Sequence, residues 1–379
     1  FKLYHWGGAL PLSDVIPILE NLGAKTIEEH PYELSRQGEE VWIHDFLLEL
    51  IVTPGGGFGA LQAIFEEAFS EIWRHGKEND SFNRLVTTAA MNIRQVGLIR
   101  AYARYFGQLQ SGSSQQFIAD CVSRYSTITL KLFDLFERRF NPLSTESVAK
   151  RRTAHQKILD RVAEDVVNLG DDRVLRGFVE LILATQRTNY FQKDGNDQPK
   201  DYVALKFLPG QISEMPEPKP AYEIFVYSPR VEGVHLRGGK IARGGLRWSD
   251  RTEDYRTEVL GLVKAQQVKN SIIVPVGAKG GFLSKWLPEN GSRDDIMAEG
   301  IACYKIFIQG LLDLTDNLVL GEVVKPIDMI CYDDDDYYLV VAADKGTATF
   351  SDIANHLAES NGFWLGDAFA SGGSIGYDH

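Results

Sequence analysis

Cysteine is almost missing from this sequence: 379 residues hold three, Cys121, Cys303 and Cys331, an odd number set far apart. No CxxC and no Cys/His ligand spacing occurs. A disulfide-stapled secreted scaffold and a zinc module are thereby excluded, and a reduced, cytoplasmic setting with no metal is expected. Long apolar runs are missing too. None approaches the roughly 18 residues that a membrane span requires, and FKLYHWGG at residues 1–8 has neither the basic nor the apolar part of a signal peptide. Positive charge is in deficit: 40 basic against 52 acidic residues give a net charge of −12, which argues against a general nucleic-acid binder. Two glycine signatures are absent as well. There is no GxGxxG, and no glycine loop ends in Lys-Ser or Lys-Thr, so a dinucleotide, if used, is expected to be held outside this chain. The first residue is not Met and no obvious tail closes the sequence, so a piece of a longer protein is expected.

What is present describes an ordinary globular protein, 44% hydrophobic and 24% charged, long enough for two or three domains. Residues 1–52 read as a small α/β unit. Phe1 to His5 alternate like a strand, and Ser13 can cap a helix whose stripe includes Val15, Ile16, Leu19 and Leu22 and which ends at Gly23. Strand-like runs follow at residues 25–34 and 41–50, an order that fits the latter part of a ferredoxin-like (ACT-like) fold, here partial. Thr53-Pro54-Gly55-Gly56-Gly57 is a break, and residues 53–192 form a helical block. Leu61, Ile64, Phe65, Ala68, Phe69 and Ile72 make one of its apolar stripes; breaks fall at residues 76–80, 107–114, 141–142 and 170–171. The basic, aromatic run Arg94 to Tyr105 fits a buried aromatic face with snorkelling arginines better than a nucleic-acid surface. Residues 193–379 alternate short apolar segments with helical ones. Strands are expected at 202–208, 222–227, 271–276, 318–324 and 338–343, and helices at 252–269, 293–314 and 351–359, an α/β layer.

The chemistry concentrates in residues 243–282, RGGLRWSDRTEDYRTEVLGLVKAQQVKNSIIVPVGAKGGF, which hold seven cationic side chains. Gly244 and Gly245 precede Arg247, and Gly277, Gly280 and Gly281 surround Lys279, as two glycine-rich turns. Arg247, Lys269 and Lys279 lie near the ends of predicted elements, where separate segments converge on one cleft. Several cations in a cleft suit a substrate carrying carboxylates. Asp344 directly follows the apolar run at 340–343, at the strand end where α/β proteins place functional groups, and a carboxylate there can exchange a proton with Lys279. The run Asp333 to Asp336 reads as a solvated loop rather than a metal site, and His235 and His356 as structural. Ser371 and Ser374 lie in a glycine-rich closing segment and are weaker candidates for substrate contact.

The segments GGLR, EVLGLVKAQQVKN, VPVGAKGGF, VVAADKGTATFSD and GFWLGDAFASGG together resemble glutamate dehydrogenase. YEIFVYSPRVEGVHLRGGKIARGGLRWSDR (222–251) and TNYFQ (188–192) resemble its large NAD-dependent bacterial form in particular, and the likeness is strongest over 188–379. The resemblance implies that 193–379 is the substrate-binding part of the catalytic domain, with the Rossmann domain outside this chain. It implies oxidative deamination of L-glutamate to 2-oxoglutarate and ammonia with NAD, in a cytoplasmic homo-oligomer with no nucleic-acid or membrane partner. By the same resemblance Lys279 is the catalytic lysine, Asp344 the proton shuttle and Lys269 the grip on the α-carboxylate. Gln266 is a neighbouring substrate contact, and Gly244, Gly245 and Arg247 border the pocket. One departure stands out. Leu260 occupies the position where shorter relatives carry the lysine for the distal carboxylate, which leaves Arg256, Lys264 or Arg247 to replace it; a dehydrogenase of another L-amino acid, or a non-catalytic fragment for assembly or effector binding, is the alternative reading.

Overall fold

The computed structural model of the protein describes residues 1–36, 39–50, 58–109, 112–145, 147, 150, 155–269, 275–347 and 349–366. The break at 53–57, residues 271–274 of the strand expected at 271–276, Ser371 and Ser374 all lie outside them. Two compact units emerge. One is made of Phe1–Ala103, Ser114–Phe133 and Asp160–Leu175; the other of Arg104–Ser113, Asp134–Leu159 and Arg176–His379.

In the first unit β1 (Lys2–Trp6), β2 (Ala24–Arg36) and β3 (Glu39–Leu50) form an antiparallel sheet of order β1-β3-β2. Helix α1 (Leu12–Asn21) joins β1 to β2 and buries Val15, Ile18 and Leu19. Helix α2 (Phe58–His75) sets Phe65 and Phe69 on the Phe1 ring, with centroids 5.8 and 5.0 Å away. The order β-α-β-β-α is the leading part of a ferredoxin-like unit, so the expectation of its latter part is corrected. Ser13 does not cap α1. The cap position falls two residues earlier, at Pro11, with Leu12 the first helical residue, and the Ser13 hydroxyl donates to Asp14 instead. Gly23 does end it, at φ +85°.

The helical scaffold comprises α3 (Leu85–Thr88), α4 (Ile93–Gln108), α5 (Gln115–Arg124), α6 (Ser126–Phe140), α7 (Gln156–Asp165) and α8 (Leu169–Ala184). Gly170-Asp171 is not a break but the first turn of α8, where the Asn168 side chain accepts from both of their backbone N–H groups. Tyr102 and Tyr105 of α4 are fully buried, as the aromatic spacing implies. Of its arginines, Arg100 does not snorkel but is buried against Asp80 and Asn83, whereas Arg104 is partly exposed and donates to Glu232 at 2.7 Å.

The second unit is built on a seven-stranded mixed sheet. Its strands are β4 (Thr185–Thr188), β5 (Val203–Phe207), β6 (Tyr222–Tyr227), β7 (Val231–Arg237), β8 (Ala242–Ser249), β9 (Val276–Ser284) and β12 (Val340–Ala343), in the order β12-β8-β9-β7-β6-β5-β4. The short hairpin β10 (Asn317–Val319) and β11 (Glu322–Val324) stands apart. β12, β8 and β9 run parallel, and the remaining neighbours are antiparallel. One face carries the core: Ile224, Val226, Val231, Leu246 and Phe282 pack with Cys303, Tyr304, Phe307 and Leu311 of α10 (Arg293–Asp313) and with Ala354 and Ala358 of α11 (Ser351–Ser360). Helix α9 (Tyr255–Lys269) covers the other face over β7 and β9. Tyr105 stacks there on Phe207, with centroids 4.3 Å apart.

Much of the charge in this unit is buried rather than solvated. Arg187, Lys206 and Arg237 interlock with Asp316, Asp333 and Asp336, so two of the four aspartates read as a solvated loop are inside. Only Asp334 and Asp335 stay exposed, beside Lys240 and Lys325. Buried ions persist when each has a partner of opposite charge. Among the described residues no helix is long and apolar enough to cross a membrane.

Candidate active site

Strand alternation decides which side chains of β8 and β9 share a face. Their parallel register pairs Arg243 with Gly277 and Arg247 with Gly281, so Arg243, Gly245 and Arg247 lie on the same side as Gly277, Lys279 and Gly281. That side is the one under α9, because a Cβ at Gly281 would lie 2.7 Å from Val259 of that helix. Neither glycine cluster is a turn, which corrects the sequence reading of Gly244, Gly245 and Lys279. All three residues are inside central strands, and none of the five glycines has positive φ. Close approach is the reason for glycine here. A Cβ on Gly244 would sit 1.5 Å from the Ala278 carbonyl oxygen, and one on Gly277 would collide with Gln266 at 2.6 Å.

β12 brings in the carboxylate. It pairs with β8 through Val341–Gly244 and Ala343–Leu246, so Asp344 leaves the strand beside Arg247. The turn that follows is pinned to β8. The Asp344 N–H donates to Thr347 Oγ1 at 3.0 Å, the Thr347 hydroxyl donates to Leu246 O at 2.7 Å, and Trp248 N–H donates to Lys345 O at 3.1 Å. Lys279 and Asp344, 65 residues apart in sequence, then meet: Nζ lies 2.9 Å from Oδ2. Oδ1 accepts from Lys345 N–H at 2.7 Å and from Arg247 Nη2 at 3.4 Å. Arg247 Nη1 also donates to Glu258 Oε1 at 2.8 Å, and Ser249 Oγ donates to Glu258 Oε2 at 2.7 Å. The result is a row of alternating charge, Lys279, Asp344, Arg247, Glu258, each partly buried.

Burial pushes the Asp344 carboxyl upward, but the Lys279 ammonium, the Lys345 amide and Arg247 outweigh it and hold the group below the usual carboxylate range. Glu258 is treated alike: burial raises it, and Ser249 and Arg247 bring it lower. An ionised carboxylate in hydrogen-bond contact with a lysine can accept a proton from it and, once protonated, hand it back.

Gln266 lies over Gly277, its Oε1 buried and without a hydrogen-bond partner. Lys269 is the last residue of α9, and its side chain is outside the described residues. Of the three cations considered as replacements at the Leu260 position, Arg256 is removed by the fold. It is fully buried and makes a bidentate pair with Glu223, both contacts 2.7 Å. Arg247 is divided between Glu258 and Asp344, and Lys264 is exposed. Leu260 itself is buried. Sequence reasoning passed over Arg243, an exposed cation on the Lys279 face that makes no ion pair among the described residues. Its spacing of four from Arg247 was the signal, usable only once β8 is known to be a strand. Glu258 and Ser249 were also missed. Among the described residues no group of three His, Cys, Asp or Glu side chains is placed to hold a metal ion.

A mixed α/β unit carries a lysine–aspartate pair at the sheet face that α9 covers, and comparison with known proteins shows the family. The family model described as bacterial NAD-glutamate dehydrogenase, catalytic domain, matches residues 157–379, more than half of the chain. The models for glutamate dehydrogenase helical motif 3 and for its ACT3 domain match residues 77–142 and 1–55. The chain belongs to the bacterial NAD-glutamate dehydrogenase family. It is 55% identical over 378 residues to the NAD-specific glutamate dehydrogenase of Halomonas elongata, covering 100% of this chain and 23% of that protein. The Pseudomonas aeruginosa protein of that name is 56% identical, over 100% of this chain and 24% of the relative. That of Mycobacterium tuberculosis is 49% identical, over 98% and 24%. The chain thus spans about a quarter of the length of the curated relatives it matches.

Proposed function

We propose that this chain supplies the substrate-binding and proton-transfer half of the site of an NAD-dependent enzyme that converts L-glutamate to 2-oxoglutarate and ammonia. The observation that carries the reading is the 2.9 Å contact between Lys279 Nζ and Asp344 Oδ2, two residues brought together by three parallel strands. Lys279 would activate the attacking water or polarise the carbonyl, and Asp344 would relay protons to and from the nitrogen that leaves as ammonia. NAD, when bound, accepts the hydride. No GxGxxG occurs in this sequence, and the reading leaves the nucleotide to a Rossmann domain in the part of the relatives that this chain does not span.

Lys269, at the end of α9, would hold the α-carboxylate, with Gln266 beside it, and Gly244, Gly245 and Arg247 would border the pocket. For the distal carboxylate the reading takes Arg243, which shares the Lys279 face of β8 and β9, since the fold engages Arg256 and Arg247 elsewhere; Lys264 stays the alternative. The same reading divides the chain into an ACT-like unit at 1–52, a helical domain at 53–192 and the substrate-binding part at 193–379. It includes a cytoplasmic homo-oligomer that works in amino-acid catabolism. NADH formation by the full-length enzyme, measured with L-glutamate, L-leucine and L-phenylalanine, tests it. A strong preference for glutamate, weakened at least tenfold in kcat/KM by Arg243→Gln, is expected. Equal rates with leucine would favour the dehydrogenase of another amino acid.

A further inference from the structure

Glu258 has no part in the reaction as assigned above, yet it is the shortest contact that Arg247 makes. Arg247 Nη1 lies 2.8 Å from Glu258 Oε1, whereas Nη2 lies 3.4 Å from Asp344 Oδ1. Ser249, two residues along β8 on the same face, donates to the other Glu258 oxygen at 2.7 Å and fixes the carboxylate. The first turn of α9 thus draws the guanidinium away from Asp344. Arg247 Nε, meanwhile, has no partner. An arginine freed of Glu258 has a planar fork that fits a carboxylate through two parallel N–H bonds, and the carboxylate within reach is Asp344.

We propose that Glu258 is a positioning residue: by holding Arg247 against α9, it keeps the guanidinium from closing on Asp344 and leaves that carboxylate paired with Lys279. The inference rests on the assignment of Lys279 and Asp344 in the preceding section. The charged groups around Asp344 are Lys279 from β9, Arg247 from β8 and Lys345 in its own turn; from α9 comes Glu258 behind Arg247, with Arg251 and its partner Asp254 farther along the loop. Removing the negative charge of Glu258 lowers the proton affinity of every group in the row, and removing the positive charge of Arg247 raises it. The sign therefore does not depend on which member of the coupled site titrates.

The test is the pH profile of kcat/KM for L-glutamate in the full-length enzyme, whose acid limb reports a group that must be unprotonated. Glu258→Gln is expected to move that limb down by about half to one pH unit, and Arg247→Gln to move it up by about as much. The double variant is expected near the parent position, and Arg247→Lys, which keeps the charge, nearer to the parent than Arg247→Gln. A role confined to stability would lower activity without opposite shifts. An acid limb that stays put or rises in Glu258→Gln overturns the inference. Should that variant not accumulate as folded enzyme, an acid limb unmoved in both Arg247→Lys and Arg247→Gln overturns it equally. Lys279→Ala and Asp344→Asn run alongside. If either keeps parental turnover, the functional reading falls and the inference with it; if both lose turnover while the limb fails to shift, only the inference falls.

Discussion

Glu223→Gln should destabilise the second unit more than any other conservative change of one side chain in its sheet. Glu223 on β6 and Arg256 in the first turn of α9 are both wholly shielded from water and joined by two 2.7 Å hydrogen bonds. Burial pulls the proton affinity of the guanidinium down, but the Glu223 carboxylate more than offsets it and holds it above its ordinary value. The amide variant retains shape and removes only the countercharge, so a charged guanidinium is left buried without an anion beside it. Breaking a buried pair this way costs about 3–5 kcal/mol. At about 2–4 °C per kcal/mol for a unit of this size, the apparent midpoint should fall by roughly 6–20 °C. Thermal unfolding followed by circular dichroism is the assay, with Glu223→Gln/Arg256→Met as the control; removing both charges should recover most of the loss. A fall of less than about 2 °C in the single variant, or a double variant worse than both singles, would refute the argument. It would also reopen Arg256 as a substrate cation, since an arginine that does not need Glu223 is free to leave it.

Other consequences can be measured on the same protein. Lys206 and Arg237 hold the buried Asp336 carboxyl down at about 2 against burial, which alone would raise it. A depressed carboxyl contributes stability that is present above its unfolded value, near 3.8, and is lost as pH falls toward 2; Asp336→Asn should remove about 2 kcal/mol at pH 7 and flatten the acid unfolding curve over that window. His235 is buried with neither ring nitrogen hydrogen-bonded, and burial pushes it down to about 3. Between pH 6.5 and 3 the unfolded chain therefore binds a proton that the folded chain refuses, so stability drops as pH falls; His235→Leu should weaken that drop, and an unchanged slope in urea titrations at pH 4.5 and 7 would contradict it. Gly244→Ala would force a Cβ to within 1.5 Å of the Ala278 carbonyl, separating β8 from β9 next to Lys279. A cost of about 3 kcal/mol and a fall in turnover are expected together, measured by unfolding and by NADH formation.

The chain's periodicity made many elements legible. β6 was expected at 222–227 and occupies Tyr222–Tyr227, and α10 and α11 end within a residue of their expected limits. β7 and β8 were not foreseen. VEGVHLR and ARGGLRWS carry charges and glycines where a buried strand normally shows branched apolar residues, because Arg237 is neutralised by Asp336 and because Gly244 makes room for Ala278. That miss hid the geometry of the site: with β8 read as a turn, the alternation that sets Arg243, Arg247 and Lys279 on one face is invisible. The strand-end position of Asp344 suggested an exchange with Lys279, and the resemblance to a family named the roles proposed for both; no local pattern shows that β12 lies beside β8. Aspartates 333 and 336 illustrate the same limit. Their partners Lys206, Arg187 and Arg237 are distant in sequence, and a run of like charge reads as solvated until those partners are in place.

The central claim is that Lys279 and Asp344 form the proton-transfer pair of a glutamate dehydrogenase. Initial rates of NADH formation from L-glutamate at pH 8, for full-length enzyme with Lys279→Ala or Asp344→Asn, test it most directly. A general acid–base group contributes about 10²- to 10⁴-fold, so kcat should fall by at least about 100-fold in each variant. The double variant should be little worse than the singles, because the two residues act as a unit. Turnover within about threefold of the parent in Lys279→Ala, with the protein folded, would contradict it.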